Sequence, residues 1–265
     1  MPFHDFGEIR YFTFESFEDS GIPHGILSRH GGFSPNPWAS LNVGATVGDD
    51  SGRVQANRQL SFQAIGRSLE SLFDVWQVHS TEVVCTDSPR PPGVPHLKAD
   101  AILTDRPGVT LFMRFADCVP IFLFDPVRHV VGLVHAGWKG TVDKAVEAAV
   151  HVMKRRYLSN PADILAGIGP SIGAHHYEVG PEVAALARTA FGMDAAALVQ
   201  PKDRNPAGET KVQFDLWAAN RLILENLGVR YIEMSEICTA CNLSDWYSHR
   251  AEKGRTGRFG TLIGL

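Results

Sequence analysis

Cys118 and His135 each close one end of an apolar run in "RFADCVPIFLFDPVRHVVGLVHAGWKG", residues 114–140, where a core strand needs neither a thiol nor an imidazole. An antiparallel hairpin turning at Asp125 and Pro126 brings those two ends together. His79 closes another short run, "VWQVH", and joins them if that run enters the same sheet edge. One thiolate and two imidazoles suit zinc, and three protein ligands with a fourth position left for water characterise catalytic rather than structural sites. A plainer reading stays open beside it. A cysteine next to a core strand often acts as a small hydrophobe, a histidine before "AGWKG" can bond a turn carbonyl, and Asp117 can form a turn instead of moving a proton.

Other chemistry-bearing stretches are weaker. The glycine-rich "HAGWKGT" leads into a helix, whose first amides favour an anion, or else it is only a tight connection. It lacks the glycine, lysine and serine or threonine pattern of a P-loop, and "GIGPSIG" lacks the spacing of a dinucleotide fingerprint. "CTAC" at 238–241 is a single C-x-x-C, so a closed four-ligand zinc site needs partners such as His249 from elsewhere. The adjacent histidines of "AHHYE" at 174–178 would face opposite ways on a strand and read as loop or surface residues.

Strands and helices that position these residues alternate along the chain without a repeat. Residues 53–68 have helical apolar spacing, and "DVWQVHSTEVVC" reads as strand, break and strand. The proline-rich "DSPRPPGVPHLK" must cross the surface. "AILTD", "VTLFMRF", "VPIFLFD" and "HVVGLVH" then read as strands of a covered sheet. "TVDKAVEAAVHVMKRRY" is predicted to be one amphipathic helix capped by Thr141, with Lys154, Arg155 and Arg156 at its C-terminal end. "ADILAGIGP" and "RYIEMSEIC" read as strands. "PEVAALARTAF" reads as a helix opened by Pro181, and "FDLWAANRLILENLG" as one closed by Gly228. Hairpin and helical connections both occur, so the fold class is α+β with a mixed sheet.

The 265 residues, 44% of them hydrophobic, are enough to bury a large core. A formal net charge of -4 argues against a general nucleic-acid binder, which needs a basic surface. No apolar run approaches the roughly 20 residues of a membrane span. The opening "MPFHDFGEIRYFTF" has no secretory pattern. Cytoplasm is therefore the expected location, with no membrane partner. Four cysteines are too few for a disulfide scaffold and read as free thiols or metal ligands.

The set "RHGGFSPNPWASLNVG", "NR" at 57–58, "QVHS", "ADAILTD", "ADCVPIFLFDP", "VGLVHAGWKGT", "GIGPSIG", "YEVGPEV", "FDLWAANR" and "SHRAEKGRTGR" resembles the YfiH-like purine nucleoside phosphorylase family, formerly labelled laccase-domain or multicopper polyphenol oxidase proteins. The resemblance covers nearly the whole chain, with the motifs in the family's order. It implies a single domain over 1–265, a four-layer α/β/β/α sandwich of two mixed sheets built from a duplicated unit. It also implies that His79, Cys118 and His135 form the metal and catalytic centre, with zinc favoured over copper.

The implied activities are phosphorolysis of adenosine, inosine, guanosine and methylthioadenosine, and deamination of adenosine. An open zinc position serves deamination by lowering the pKa of bound water from about 16 to about 7. Phosphorolysis needs a held phosphate and a neutralised purine leaving group. Because arginine grips phosphate in a fork, Arg29, Arg58 and Arg250 are expected phosphate or ribose contacts, and Asn57 a contact to ribose or base. Each arginine can instead pair with an acidic neighbour. A copper phenol oxidase fits poorly, because the clustered H-x-H pairs of such enzymes are missing. A cysteine hydrolase editing cell-wall precursors, with Cys118 as nucleophile and His135 as base, is an alternative, as is a non-catalytic nucleoside sensor. The expected partners are small nucleosides and phosphate, with a monomer favoured. Two departures from the family pattern matter: His175 and His176 stand where many relatives carry a cysteine pair, and Ala251 where an arginine is frequent.

Overall fold

Apolar residues at alternate positions of five central strands point to opposite faces, and the fold follows from covering both. The structure, a computed structural model, describes residues 3–204 and 210–265. One six-stranded sheet combines β1 (Phe3–Phe6), β2 (Ile9–Phe12), β3 (His24–Leu27), β4 (Leu72–Asp74), β7 (Thr110–Phe115) and β15 (Phe259–Gly264), in the order β1-β2-β3-β15-β7-β4. The second combines β5 (Val83–Cys85), β6 (Ala101–Thr104), β8 (Val119–Asp125), β9 (Val130–Ala136), β10 (Leu165–Ile168) and β14 (Tyr231–Met234), in the order β14-β10-β8-β9-β6-β5. Both are mixed: β4 runs parallel to β7, β5 to β6 and β10 to β14, while the other pairs are antiparallel. A small antiparallel sheet of β11 (Glu178–Val179), β12 (Val199–Arg204) and β13 (Thr210–Phe214) stands apart from the sequence expectation.

Period-two patterning builds the layers. Ile102, Phe122, Phe124, Val131 and Leu133 of the second sheet face Phe12, Ile26, Met113, Phe115 and Phe259 of the first. Their neighbours Ala101, Leu103, Ile121, Leu123 and Val134 face the other way, onto helices. Among the helices, α1 (Glu15–Asp19), α2 (Ser51–Ala64), α3 (Trp138–Val142), α4 (Ala145–Arg156), α5 (Pro181–Phe191), α6 (Ala195–Leu198) and α7 (Leu216–Asn226), the outer layers come chiefly from three. α4 lays Val146, Ala149, Val150 and Met153 on the second sheet beside Ile223 and Leu224 of α7, and α2 packs Phe62 against Leu262 and Phe112 of the first. Each such buried aliphatic or aromatic side chain contributes about 1.5–3 kcal/mol. The stack is α/β/β/α.

Two expectations are corrected here. The four runs from Ala101 do not share one sheet, because β7 pairs with β15 and β4 in the first sheet while β6, β8 and β9 form the second. An apolar run fixes a strand but not its sheet. Nor does Thr141 cap a long helix: Gly137 precedes the short α3, Thr141 is buried within it and accepts from Asn220 Nδ2 at 2.9 Å, and Lys144 at φ 63° separates α3 from α4. The basic residues do fall in the last turn of α4.

A buried charge cluster ties β4 to β7. Asp74, fully buried, accepts from Arg90 Nε at 2.7 Å and Arg114 Nη1 at 3.0 Å, with His96 Nε2 at 3.1 Å. Burial alone would raise its pKa, but the charges of Arg114, His96 and Arg90 and the Arg90 hydrogen bond outweigh it, and the carboxyl is held below the ordinary value. A depressed folded pKa contributes stability that is present above the unfolded value of about 3.9 and lost as pH falls through the folded one. Asp74→Asn is therefore expected to cost about 2 kcal/mol near neutrality. Urea melts of both proteins at pH 7 and pH 3 check this: the gap should narrow at pH 3, and a gap that widens would show the cluster is misread.

Candidate metal centre

The hairpin of β8 and β9 places Pro120 opposite His135 and Val119 opposite Ala136, so Cys118 and His135 meet at the sheet's end. This is the predicted antiparallel arrangement. His79 arrives differently. It lies in the loop between β4 and β5, not on a strand of the same sheet, and its φ of 59° is left-handed. A non-glycine residue there costs about 1 kcal/mol or more unless its surroundings hold it.

Asp100, just before β6, is what holds it. Its Oδ2 accepts from the amides of Val78 at 3.1 Å and Ser80 at 2.6 Å, flanking His79, and from Ser80 Oγ at 2.9 Å. Its Oδ1 accepts from His135 Nδ1 at 2.8 Å, which leaves Nε2 of His135 free as a ligand. One buried carboxylate thus sets the orientation of both histidines. Burial would raise its pKa, but the hydrogen bonds from His135 and Ser80 hold it down to about 2.

The ligand atoms of His79, Cys118 and His135 lie within 4.8 Å of one another, and Cys118 Sγ is 3.9 Å from His79 Nε2. His79 is exposed, Cys118 half-buried and His135 buried, so the trio opens to solvent on one side. Gly137 makes room: a Cβ there would lie 2.8 Å from Cys118 Sγ and 3.3 Å from His79 Cδ2. Burial pushes the Cys118 thiol up, but the positive charge on His135 and hydrogen bonds from both histidines outweigh it and bring it down to about 6. Burial lowers His135, yet the Cys118 thiolate and Asp100 raise it to about 9. A thiolate is the ligand form of cysteine, and a divalent cation displaces the proton from the imidazole. Two nitrogens, one thiolate and an oriented outer carboxylate fit zinc with an open position.

The four expected substrate contacts are not all at this centre. Arg250 is beside it: its amide donates to Asp117 Oδ2 at 2.7 Å, and its guanidinium lies over Tyr177 at 5.1 Å while donating to the Glu178 carbonyl at 2.9 Å. The other three spend their donors on the protein. Arg29 donates to the carbonyls of Ala39 and Leu243, pairs with Glu252 at 3.2 Å and lies over Tyr247. Asn57, fully buried, donates to Ser34 Oγ and the Asn42 carbonyl and accepts from the Phe33 amide. Arg58 donates twice to the Val43 carbonyl.

Sequence reasoning passed over Asp100, Tyr177 and Arg258. Arg258 is close enough to Cys118 and Asp117 to feel both charges, and burial, with the same Cys118 and Asp117 charges behind it, raises the Tyr177 hydroxyl. Asp117 accepts from Thr239 Oγ1 at 2.7 Å, so both its oxygens are engaged. "ADAILTD" and "SHRAEKGRTGR" contain Asp100 and Arg258, and a charged residue abutting a buried strand was the available signal.

Residues 23–265 match the family model described as multi-copper polyphenol oxidoreductase laccase. The chain is 38% identical over 250 residues to the purine nucleoside phosphorylase YlmD of Bacillus subtilis, covering 91% of this chain and 87% of that one. It is 33% identical over 252 residues to the purine nucleoside phosphorylase YfiH of Escherichia coli, covering 94% and 96%. Among solved structures, the hypothetical protein YfiH of Bacillus licheniformis superposes with a TM-score of 0.90 at 35% identity, over 100% of this chain and 99% of that one. YlmD of Geobacillus stearothermophilus gives 0.89 at 34%, over 99% and 98%. Sharing fold and sequence over nearly its whole length with these proteins, the chain belongs to the family of YfiH and YlmD that the multi-copper polyphenol oxidoreductase laccase model describes.

Proposed function

We propose that this chain is a zinc-dependent purine nucleoside phosphorylase acting on adenosine, inosine, guanosine and methylthioadenosine, and that the same site deaminates adenosine to inosine. The observation that carries the reading is the open His79–Cys118–His135 trio, oriented by one carboxylate and flanked by Arg250 and Arg258, in a chain whose relatives bear the name purine nucleoside phosphorylase. Bound zinc supplies Lewis acidity at the trio.

In phosphorolysis a phosphate oxygen bonds to ribose C1′ while the C1′–N9 bond breaks, and the electron pair leaves with the purine. Arg250, whose amide is held by Asp117 next to Cys118 and whose guanidinium lies over Tyr177, is the proposed phosphate grip. Arg29, Asn57 and Arg58 serve the substrate indirectly in this reading, by fixing the 29–44 segment against α2 and the C-terminal turns. Arg250→Ala is expected to raise KM for phosphate about tenfold, one charge-assisted hydrogen bond, with kcat little changed; an unchanged phosphate KM would remove Arg250 from that role. Cytoplasm and a monomer belong to the same proposal. Among the described residues no helix is long and apolar enough to cross a membrane.

The test is to incubate the zinc-loaded protein with adenosine, with and without phosphate, and resolve the products. Adenine with ribose 1-phosphate should form only with phosphate, and inosine in either case. No nucleoside turnover by the loaded protein would overturn the reading. One observation favours a second: Asp100–His135–Cys118 lie in the order of a carboxylate, base and nucleophile. A cysteine hydrolase built on it would keep its activity without zinc. Copper in place of zinc remains the weaker fit, since the donor set offers three ligands and no H-x-H pair.

A further inference from the structure

The C-x-x-C at 238–241 finds a partner that the sequence did not indicate. Cys241 and Asn242 both direct their amides to the Cys238 carbonyl at 3.2 Å, a tight turn that brings the two thiols to one side. Across from it, His175 Nε2 lies 3.0 Å from Cys241 Sγ, although the two residues are 66 apart in the chain. His175, not His249, completes the group, and the three donor atoms lie within 4.8 Å of one another. The adjacent histidines sit on a 3-10 turn, Ala174–His176, so His175 alone faces the thiols.

We propose that His175, Cys238 and Cys241 form a second site for a thiophilic divalent cation of the zinc class, distinct from His79–Cys118–His135. Three features support it beyond proximity. The Gly173 amide donates to Cys238 Sγ at 3.2 Å, the kind of bond a thiolate ligand accepts. A Cβ at Gly173 would lie 2.6 Å from His175 Cε1, so the bare backbone there is what lets the imidazole fold over the thiols. The two backbones are also fixed side by side: Ser171 donates to the Ile237 carbonyl and Thr239 to the Ser171 carbonyl, both at 3.1 Å, and Trp217 Nε1 donates to Ser171 Oγ at 2.6 Å. Two thiolates and a neutral imidazole balance a divalent charge. Cys238 is buried while Cys241 and His175 are exposed, which leaves the fourth position to solvent. Such an ion would clamp the turn before Tyr177 to the turn whose Thr239 donates to Asp117, and so brace the wall of the first site.

Zinc counting on the intact protein tests this independently of any turnover. After zinc loading under reducing conditions and gel filtration, elemental analysis should find two zinc ions per wild-type chain, one in Cys118→Ala, one in Cys241→Ser and none in the double variant. Cobalt loaded into Cys118→Ala should show strong sulfur-to-cobalt charge-transfer absorption that His175→Ala, added to it, weakens. Near-UV circular dichroism confirms folding, and Cys241 and His175 are exposed, so their variants are expected to fold. A folded, reduced Cys118→Ala protein that retains no zinc would overturn the proposal. So would a Cys238–Cys241 disulfide that survives the reducing load. Nucleoside turnover enters neither count, so failure of the proposed activity leaves this result legible.

Discussion

Cys118→Ala should lose the metal of the first site and more than 100-fold of the phosphorolytic rate, exceeding the roughly 10–100-fold that partners of metal ligands typically command. The side chain it removes is the only sulfur of the trio and the half-buried group on which His79 and His135 converge. Its loss leaves two imidazoles, a poorer set for zinc. The fold should survive, because Cys118 sits just before β8 rather than within it and the truncation removes a single atom. Elemental analysis with a steady-state assay of base release checks both parts. A variant that keeps the full wild-type zinc content and its rate would show that Cys118 does not hold the catalytic ion.

Asp100→Asn is the second large effect, and it acts without touching substrate. The carboxylate takes four hydrogen bonds, from His135 Nδ1, the Val78 and Ser80 amides and Ser80 Oγ. An amide side chain can accept on one oxygen only. Its NH2 must face either His135 or the two loop amides, and each buried donor left without an acceptor costs about 1–3 kcal/mol. We expect zinc affinity and rate to fall together by about 10–100-fold. A zinc-affinity titration alongside the assay separates the outcomes: a rate loss with unchanged affinity would place Asp100 in the chemistry rather than in the positioning of His79 and His135.

The parts of this centre differ in how far the sequence revealed them, for physical reasons. The Cys118–His135 pairing was legible because a hairpin is local: two apolar runs joined by a short turn at Asp125 and Pro126 leave little choice of register. His79 was legible as a ligand candidate but not as a loop residue, since its left-handed backbone is imposed by Asp100 from a distant element. Asp100 was passed over, because only the tertiary fold shows one carboxylate serving two histidines. Arg29 and Arg58 read as phosphate grips by residue type, yet an arginine beside a loop serves equally well to bind that loop's carbonyls, as both do here. The break at Lys144 was hidden for a similar reason: apolar spacing continues across it, and only the fold shows Thr141 buried in α3 with Asn220 donating to its hydroxyl. His175 joins the C-x-x-C only through the Ser171–Cys238 bridge, a pairing between segments with no shared pattern.

Inosine phosphorolysis by metal-stripped and zinc-restored protein addresses the central claim most directly. Hypoxanthine and ribose 1-phosphate should appear in equal amounts only with phosphate present and only after zinc is restored, with the rate rising until the first site is filled. A metal-free protein that releases hypoxanthine at the full rate would contradict the account.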